Sequence, residues 1–326
     1  MEHRNVTRLG TSLSAVGLGT WQLGSDWGDV AETQARDVLE AALAEGITFF
    51  DTADVYGDGR SEQLIAKYVL PTAGNVFVAT KFGRRVEQTV ENYRPDNFRA
   101  WLDRSRRNLG VDTIDLVQLH CPPSGVYDND EVFDGLDTLV AEGVIRHYGV
   151  SVVTRTEALK AIARPGVSTV QIIFNVFRQA PMDDVFGAAA EAGVGIIARV
   201  PLASGLLSGR YTDDTVFAQN DHRNAANADW VPAREGETFA GVDFHTGVAA
   251  AREFAALCPD GVTPAQAALA WILQQPGVTS VIPGARSSAQ VVANAASAAV
   301  ELPGTFDAAA RDIYDRYFRA AVHDRW

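Results

Sequence analysis

Cysteine is nearly absent from this chain. The two present among 326 residues, Cys121 and Cys258, stand outside any Cys-x-x-Cys or Cys/His ligand spacing. That excludes a disulfide framework, and no metal site is expected. Basic residues are in deficit: Lys plus Arg total 28 against 41 Asp plus Glu, a formal net charge of -13. A surface this acidic repels a phosphate backbone, so no nucleic-acid partner is expected, although a local phosphate site needs only a few donors. Lysine is scarce, with only Lys67, Lys81 and Lys160, so each one invites the question of what it does. No stretch reaches the roughly 18 apolar residues of a membrane span, and the opening residues lack a signal peptide's apolar core. The expectation is a soluble, cytoplasmic protein, a monomer by default, with no membrane partner. What is present is 47% apolar and 21% charged. That suffices for a large core and excludes disorder and a fibrous fold.

Short β-branched runs alternate with Ala-, Leu- and charge-rich helical stretches. After a hairpin at 6–13 with its turn near Gly10, strands are predicted at 15–17, 49–51, 76–80, 114–119, 147–150, 170–175, 195–200 and 280–282. Helices are predicted at 32–45, 60–69, 95–109, 132–142, 154–163, 182–192 and 264–274. Residues 287–299 follow the last strand, and 306–326 reads as a terminal helix with a polar tail. Eight strands interleaved with helices is the count of a closed α/β barrel, the (β/α)8 or TIM barrel, here with a short N-terminal β-hairpin. Residues 1–326 are therefore read as one domain. A doubly wound sheet would carry GxGxxG after its first strand, but Gly17-Leu18-Gly19-Thr20-Trp21 lacks the third glycine. The rhythm breaks once, over 209–245. This long loop after strand seven, containing Trp230 and Phe239, is read as a lid.

The C-terminal ends of barrel strands converge on one mouth. Strand two ends at Asp51 and its loop runs on through Asp54 and Val55 to Tyr56; strand three ends in Thr80-Lys81 and strand four in Leu119-His120. Taken singly, the Asp can be a cap, the Tyr packing and the His a structural hydrogen bonder. Lysine is seldom buried without a partner. Together they describe a proton-transfer device. A phenol titrates near about 10. A neighbouring ammonium lowers that value, and a carboxylate keeps the ammonium charged and oriented. An imidazole beside the hydroxyl can position a carbonyl oxygen as it gains charge. The missing hydride source must be a cofactor, because no side chain supplies one.

These residues sit within longer motifs: Gly17-Leu18-Gly19-Thr20-Trp21; Phe50-Asp51-Thr52-Ala53-Asp54-Val55-Tyr56-Gly57 with Ser61-Glu62; Thr80-Lys81; Leu109 through His120; Gly149-Val150-Ser151; Pro201 through Gly209; and Ile282-Pro283-Gly284-Ala285-Arg286. In these the chain resembles the aldo-keto reductase family over almost its whole length. Its details are most similar to the bacterial branch that also resembles potassium-channel β subunits.

The resemblance implies an NAD(P)H-dependent carbonyl reductase acting on an aldehyde, ketone or alcohol. Asp51, Tyr56, Lys81 and His120 form the implied tetrad, with Tyr56 as general acid in reduction and base in oxidation. Cofactor-binding residues are implied at Gly19, Thr20, Trp21, Ser151, Gln171, Arg199, Pro201, Leu202, Ala203, Gly205, Leu206, Ser208 and Gly284. Arg286, Gln290 and Asn294 would take the adenosine end, and Asn175 would shape the nicotinamide floor. An Arg286 pairing with a 2′-phosphate favours NADP(H), with NAD(H) as the alternative. Trp21, Val55, Tyr56 and His120 would line the substrate site. The sequence departs from the family at Val152, where an asparagine usually grips the carboxamide; valine offers no polar atom. Two other readings stay open. Lys81 could form a Schiff base in a lyase, or the barrel could bind nicotinamide as a regulatory subunit with little turnover.

Overall fold

The β-branched and aromatic runs do pair as strands, and the helices between them bury their apolar faces against the outside of the sheet. The computed structural model describes residues 1–24, 30–72, 74–217, 223 and 238–326. Strands β1 (His3–Val6) and β2 (Thr11–Ser14) form an antiparallel hairpin. Then come β3 (Leu18–Gly19), β4 (Phe49–Asp51), β5 (Phe77–Phe82), β6 (Ile114–His120), β7 (Ile145–Ser151), β8 (Val167–Ile173), β9 (Gly195–Arg199) and β10 (Val278–Val281). These eight pair in parallel in chain order, and bridges Val16–Val281 and Gly19–Gly284 join β10 back to the start. The result is a closed (β/α)8 cylinder.

The first barrel strand lies at 18–19 rather than at 15–17. Residues 15–17 form the closing seam instead: Gly17 N donates to Val281 O at 2.8 Å and Val281 N to Ala15 O at 2.9 Å. Glycine is required there. A Cβ at Gly17 would meet the Phe49 ring at 2.7 Å, and one at Gly19 would meet Ile282 O at 2.9 Å. The backbone can therefore thread between two neighbours only without side chains.

Helices α1 (Glu32–Ala44), α2 (Arg60–Tyr68), α3 (Pro95–Leu109), α4 (Asp130–Ala141), α5 (Arg155–Ile162) and α6 (Val185–Ala192) follow β3 to β8. After β9 the sequence reading has a loop to residue 245 and no further helix before Pro264. The structure places an additional helix, α7 (Phe244–Ala256), there; Asp243 caps it by accepting from Thr246 N at 3.0 Å. Then come α8 (Pro264–Gln274), α9 (Ser288–Ala296) and α10 (Phe306–Tyr314). Within the expected lid, residues 218–222 and 224–237, including Trp230, lie outside the described residues. Its described ends meet in an aromatic cluster of Tyr211, Phe217, Phe239 and Phe244. The terminal Trp326 is no solvated tail: the Arg178 guanidinium stacks on its ring at 3.7 Å.

The hairpin plugs the floor of the barrel. Val6, Leu9 and Leu13 pack against Phe49, Ala79, Leu116 and Ile197, which point inward from β4, β5, β6 and β9. Arg8 fixes the hairpin turn by donating to the carbonyls of Ala192, Arg164 and Val167 at 2.7–2.8 Å. Above this apolar floor the inward positions turn polar. No helix among the described residues is long and apolar enough to cross a membrane.

Candidate active site

Adjacent strands β4, β5 and β6 deliver Asp51, Lys81 and His120 to the same rim. The parallel register pairs Asp51 with Ala79, Lys81 with Gln118 and His120 with Ser151. Tyr56 arrives on the loop after β4, which keeps to the ladder at first: Thr52 N donates to Ala79 O and Asp54 N to Lys81 O. A chain of buried hydroxyls pins that loop. Thr52 Oγ1 donates to Ser61 Oγ, Ser61 to Thr20 Oγ1, and Thr20 to Asp51 O, at 2.7–2.9 Å. Gly57 is left-handed (φ 58) and passes so close to Gly24 that a Cβ would lie 2.1 Å from its carbonyl. That crossing sets where Tyr56 stands.

Lys81 is 1% exposed and makes three contacts. Its Nζ donates to Asp51 Oδ1 at 2.5 Å, to Thr52 O at 2.9 Å and to the Tyr56 hydroxyl at 3.4 Å. The other Asp51 oxygen accepts from Gln171 Nε2 at 2.7 Å and from Gln118 Nε2 at 3.1 Å. His120 meets the Tyr56 ring edge-on at 5.9 Å, and Trp21 stacks on it at 6.1 Å. Burial works against the Lys81 ammonium, yet Asp51 and Tyr56 outweigh it and hold the lysine above its ordinary range. Burial also pushes the Tyr56 phenol up; Lys81 pulls it down, and Asp51 partly cancels that pull. Lys81 thus lowers the phenol as expected, but enclosure outweighs it and the net direction is upward.

Tyr56, His120, Trp21 and Val55 line a cavity of about 640 Å³. Of the expected cofactor residues, Gly19, Thr20, Ser151, Gln171, Arg199, Pro201, Leu202, Gly205 and Gly284 line it too. Ala203 and Leu206 do not; they are core residues. Ser208 turns its hydroxyl onto Gly205 O at 2.6 Å. Asn175 is likewise committed, donating to Val200 O and accepting from Phe177 N. Arg286 is exposed on the loop before α9, without an ion pair among the described residues, and its main-chain N–H donates to Gln290 Oε1 at 2.7 Å. Asn294 Nδ2 reaches back to Gly284 O at 3.5 Å.

These residues fit a dinucleotide. Val200, Ala203, Ser204 and Gly205 all have positive φ, from 49 to 99°. Within this turn the Ala203 N–H donates to Val200 O and the Gly205 N–H to Leu202 O, so the attraction for a pyrophosphate is left to side chains. Arg199 and Arg223 both line the cavity, and Arg223 reaches the Ser204 carbonyl at 3.4 Å. At Val152 the side chain is fully buried, and Arg199 Nη2 donates to the Val152 carbonyl at 3.0 Å.

The sequence model of the aldo/keto reductase family matches residues 15–314. The chain belongs to the aldo/keto reductase family. An uncharacterised oxidoreductase of Mycobacterium tuberculosis is 33% identical over 314 residues, covering 93% of this chain and 89% of that protein. An aldo-keto reductase [NADP(+)] of Schizosaccharomyces pombe is 29% identical, covering 95% and 90%. The solved glycerol dehydrogenase of Gluconobacter oxydans superposes with a TM-score of 0.80 at 30% identity, covering 97% of this chain and 95% of that one.

This aldo/keto reductase uses two polar residues at its centre that the motif reading passed over. Gln118 sits two residues before His120, on the same inward face of β6; a glutamine within an apolar strand is the signal that was available. Asp54, beside Asp51, Tyr56, Lys81 and His120, is fully buried, and among the described residues neither carboxyl oxygen has a hydrogen-bond partner; the Val55 N–H lies near it but outside hydrogen-bond geometry. Burial first, and then Glu62, raise its pKa to about 7, against weaker opposition from Arg85 and Arg104. The folded state thus holds a proton that the unfolded state has lost, so stability falls as pH rises from about 4 to 7. Asp54→Asn is expected to remove that loss. The variant should be more stable than the parent at pH 8, by up to about 4 kcal/mol, with no such gain below pH 4. Urea unfolding of both proteins across that range checks it; an equal difference at both ends would show that Asp54 does not titrate in this window.

Proposed function

We propose that this chain is an NADP(H)-dependent reductase of aldehydes or ketones, with Tyr56 as the acid that protonates the carbonyl oxygen. The observation that carries this reading is the contact of a buried, carboxylate-paired ammonium with a phenol that faces the cavity: Lys81 Nζ lies 3.4 Å from the Tyr56 hydroxyl. When bound, NADPH supplies the hydride. The chain's own residues do the rest. Tyr56 O–H donates to the carbonyl oxygen as charge gathers there, and the edge of His120 orients that oxygen. Lys81 stabilises the phenolate left behind, and Asp51 keeps Lys81 charged and aimed. In oxidation the same phenolate takes the alcohol's proton. Gln171 and Ser151 would hold the carboxamide, with Arg199 above Val152, while Arg286 would meet the 2′-phosphate. The name of the Schizosaccharomyces pombe relative supports the choice of NADP(H). The expected likeness to the bacterial branch that resembles potassium-channel β subunits is kept as part of this proposal, with Gln171, Asn175 and Arg199 as its details. The whole chain is taken as one barrel domain, with 209–245 as a cover; Arg223 and Thr238 from that segment line the cavity.

The lyase alternative needs a neutral, accessible amine. A lysine 1% exposed and held charged by Asp51 is poorly suited to it. Steady-state turnover of an aldehyde and ketone panel with NADPH and NADH tests the reductase reading, and absence of NADPH oxidation with every carbonyl would overturn it. For cofactor choice, Arg286→Ala should weaken NADPH about 10- to 150-fold, the equivalent of one charge-assisted hydrogen bond. NADH should be affected much less. Fluorescence titration of both nucleotides is the check; equal losses would move Arg286 to the adenine or pyrophosphate.

A further inference from the structure

One charge in the cavity has no role in the reading above. Arg84 lines the cavity beside Tyr56 and His120. It follows Gly83, whose left-handed backbone (φ 113) turns the chain at the end of β5. Its Nε donates to the His120 carbonyl at 3.1 Å, and Gln88 braces that same carbonyl at 3.2 Å. Among the described residues Arg84 has no carboxylate partner. The next residue differs: Arg85 pairs with Asp58 at 2.5 Å.

Position separates Arg84 from the cofactor residues. In the closed order of eight strands, three strands lie between β5 and β9 in either direction around the cylinder. Arg84 after β5 and Arg199 at the end of β9 therefore stand on opposite sides of the mouth. The positive-φ residues Val200, Ala203, Ser204 and Gly205 follow β9 directly, and Gly284 follows its neighbour β10, so both belong to the Arg199 side. The only carboxylate lining the cavity among the described residues is Asp51, which Lys81 already neutralises. In a chain of net charge -13, a cationic cavity is a local construction. A half-buried guanidinium with free N–H donors is suited to a planar anion.

We infer that Arg84 is a specificity-determining residue that binds a negatively charged substituent of the substrate, so that the preferred carbonyl compounds carry a carboxylate or phosphate within side-chain reach of the reacting carbon. This rests on the reductase reading. It deepens that reading by naming a substrate class.

The test compares 4-formylbenzoate and 4-formylphenyl phosphate with the neutral 4-formylbenzamide, using NADPH and the full chain. The parent is expected to show kcat/KM at least about tenfold higher for a charged aldehyde than for the amide, mainly through KM. The better of the two anions identifies the group. In Arg84→Ala the ratio should collapse toward one, and Arg84→Lys should restore part of it, because the charge returns without the fork. A merely structural arginine would lower all three substrates together and leave the ratio intact; that result, or a parent with no preference for charge, overturns the inference while the reductase reading stands. A second readout is independent of turnover. Binding of 4-(hydroxymethyl)benzoate and of its amide to the NADP(+)-loaded protein is followed by tryptophan fluorescence, and only the carboxylate should lose affinity in Arg84→Ala. If no aldehyde is reduced, the reductase reading fails, and this titration still decides whether Arg84 holds an anion.

Discussion

Replacing Tyr56 by Phe should lower turnover of an aldehyde with NADPH by about 10²–10⁴-fold, the usual contribution of a positioned general acid. The substitution removes one oxygen. The ring keeps its stack on Trp21 and its edge contact with His120, so the cavity wall persists. Lys81 keeps Asp51 and Thr52 O as partners, so no buried cation is abandoned. Loss of rate without loss of fold or of NADPH affinity is therefore the expected pattern, read by steady-state kinetics beside fluorescence titration. Turnover close to the parent's would remove Tyr56 from the chemistry.

Lys81→Met should act on two quantities at once. Deleting the ammonium leaves the Asp51 carboxylate buried with only Gln118 and Gln171 as partners, and breaking a buried pair in this way typically costs about 3–5 kcal/mol. It also removes the downward pull on the Tyr56 phenol, which burial already raises. Alcohol oxidation needs the phenolate, so the rise of its rate with pH should move to still higher pH, and reduction should be slowed less at neutral pH than oxidation. A pH–rate profile for alcohol oxidation, with urea unfolding of the same variant, separates the two effects. A destabilised protein with an unshifted profile would make Lys81 a structural partner of Asp51 alone.

Much of the fold could be read from local signals. Pro95 and Pro264 open α3 and α8 as proline at a first helical turn does, and Gly110 ends α3 in a left-handed cap. Both helices therefore have the expected bounds. The first strand was misplaced because glycines 17 and 19 erase the β-branched pattern by which strands are recognised. Helix α7 escaped because its buried face, Gly247, Val248, Ala250, Ala251 and Phe254, has only two large or branched apolar residues and contains Gly247 at a close approach to Leu206. The tetrad was legible because each member ends a strand or closely follows one. Gln118 and Arg84 were not singled out, because their meaning depends on which strands face one another across the cylinder, and that is a property of closure rather than of any segment.

The plugged floor has a consequence for how the site is replenished. On the proposed reading, each reduction would take a proton from Tyr56, and the phenol would have to be reprotonated before a second turnover. Beneath Lys81 and Asp51 lies the packed layer of Phe49, Leu116 and Ile197, sealed in turn by Val6, Leu9 and Leu13. Nothing in that layer can relay a proton. A recharging proton would therefore not cross the floor; the routes left to it are the mouth that admits substrate and the buried polar side chains beside Lys81 and Asp51.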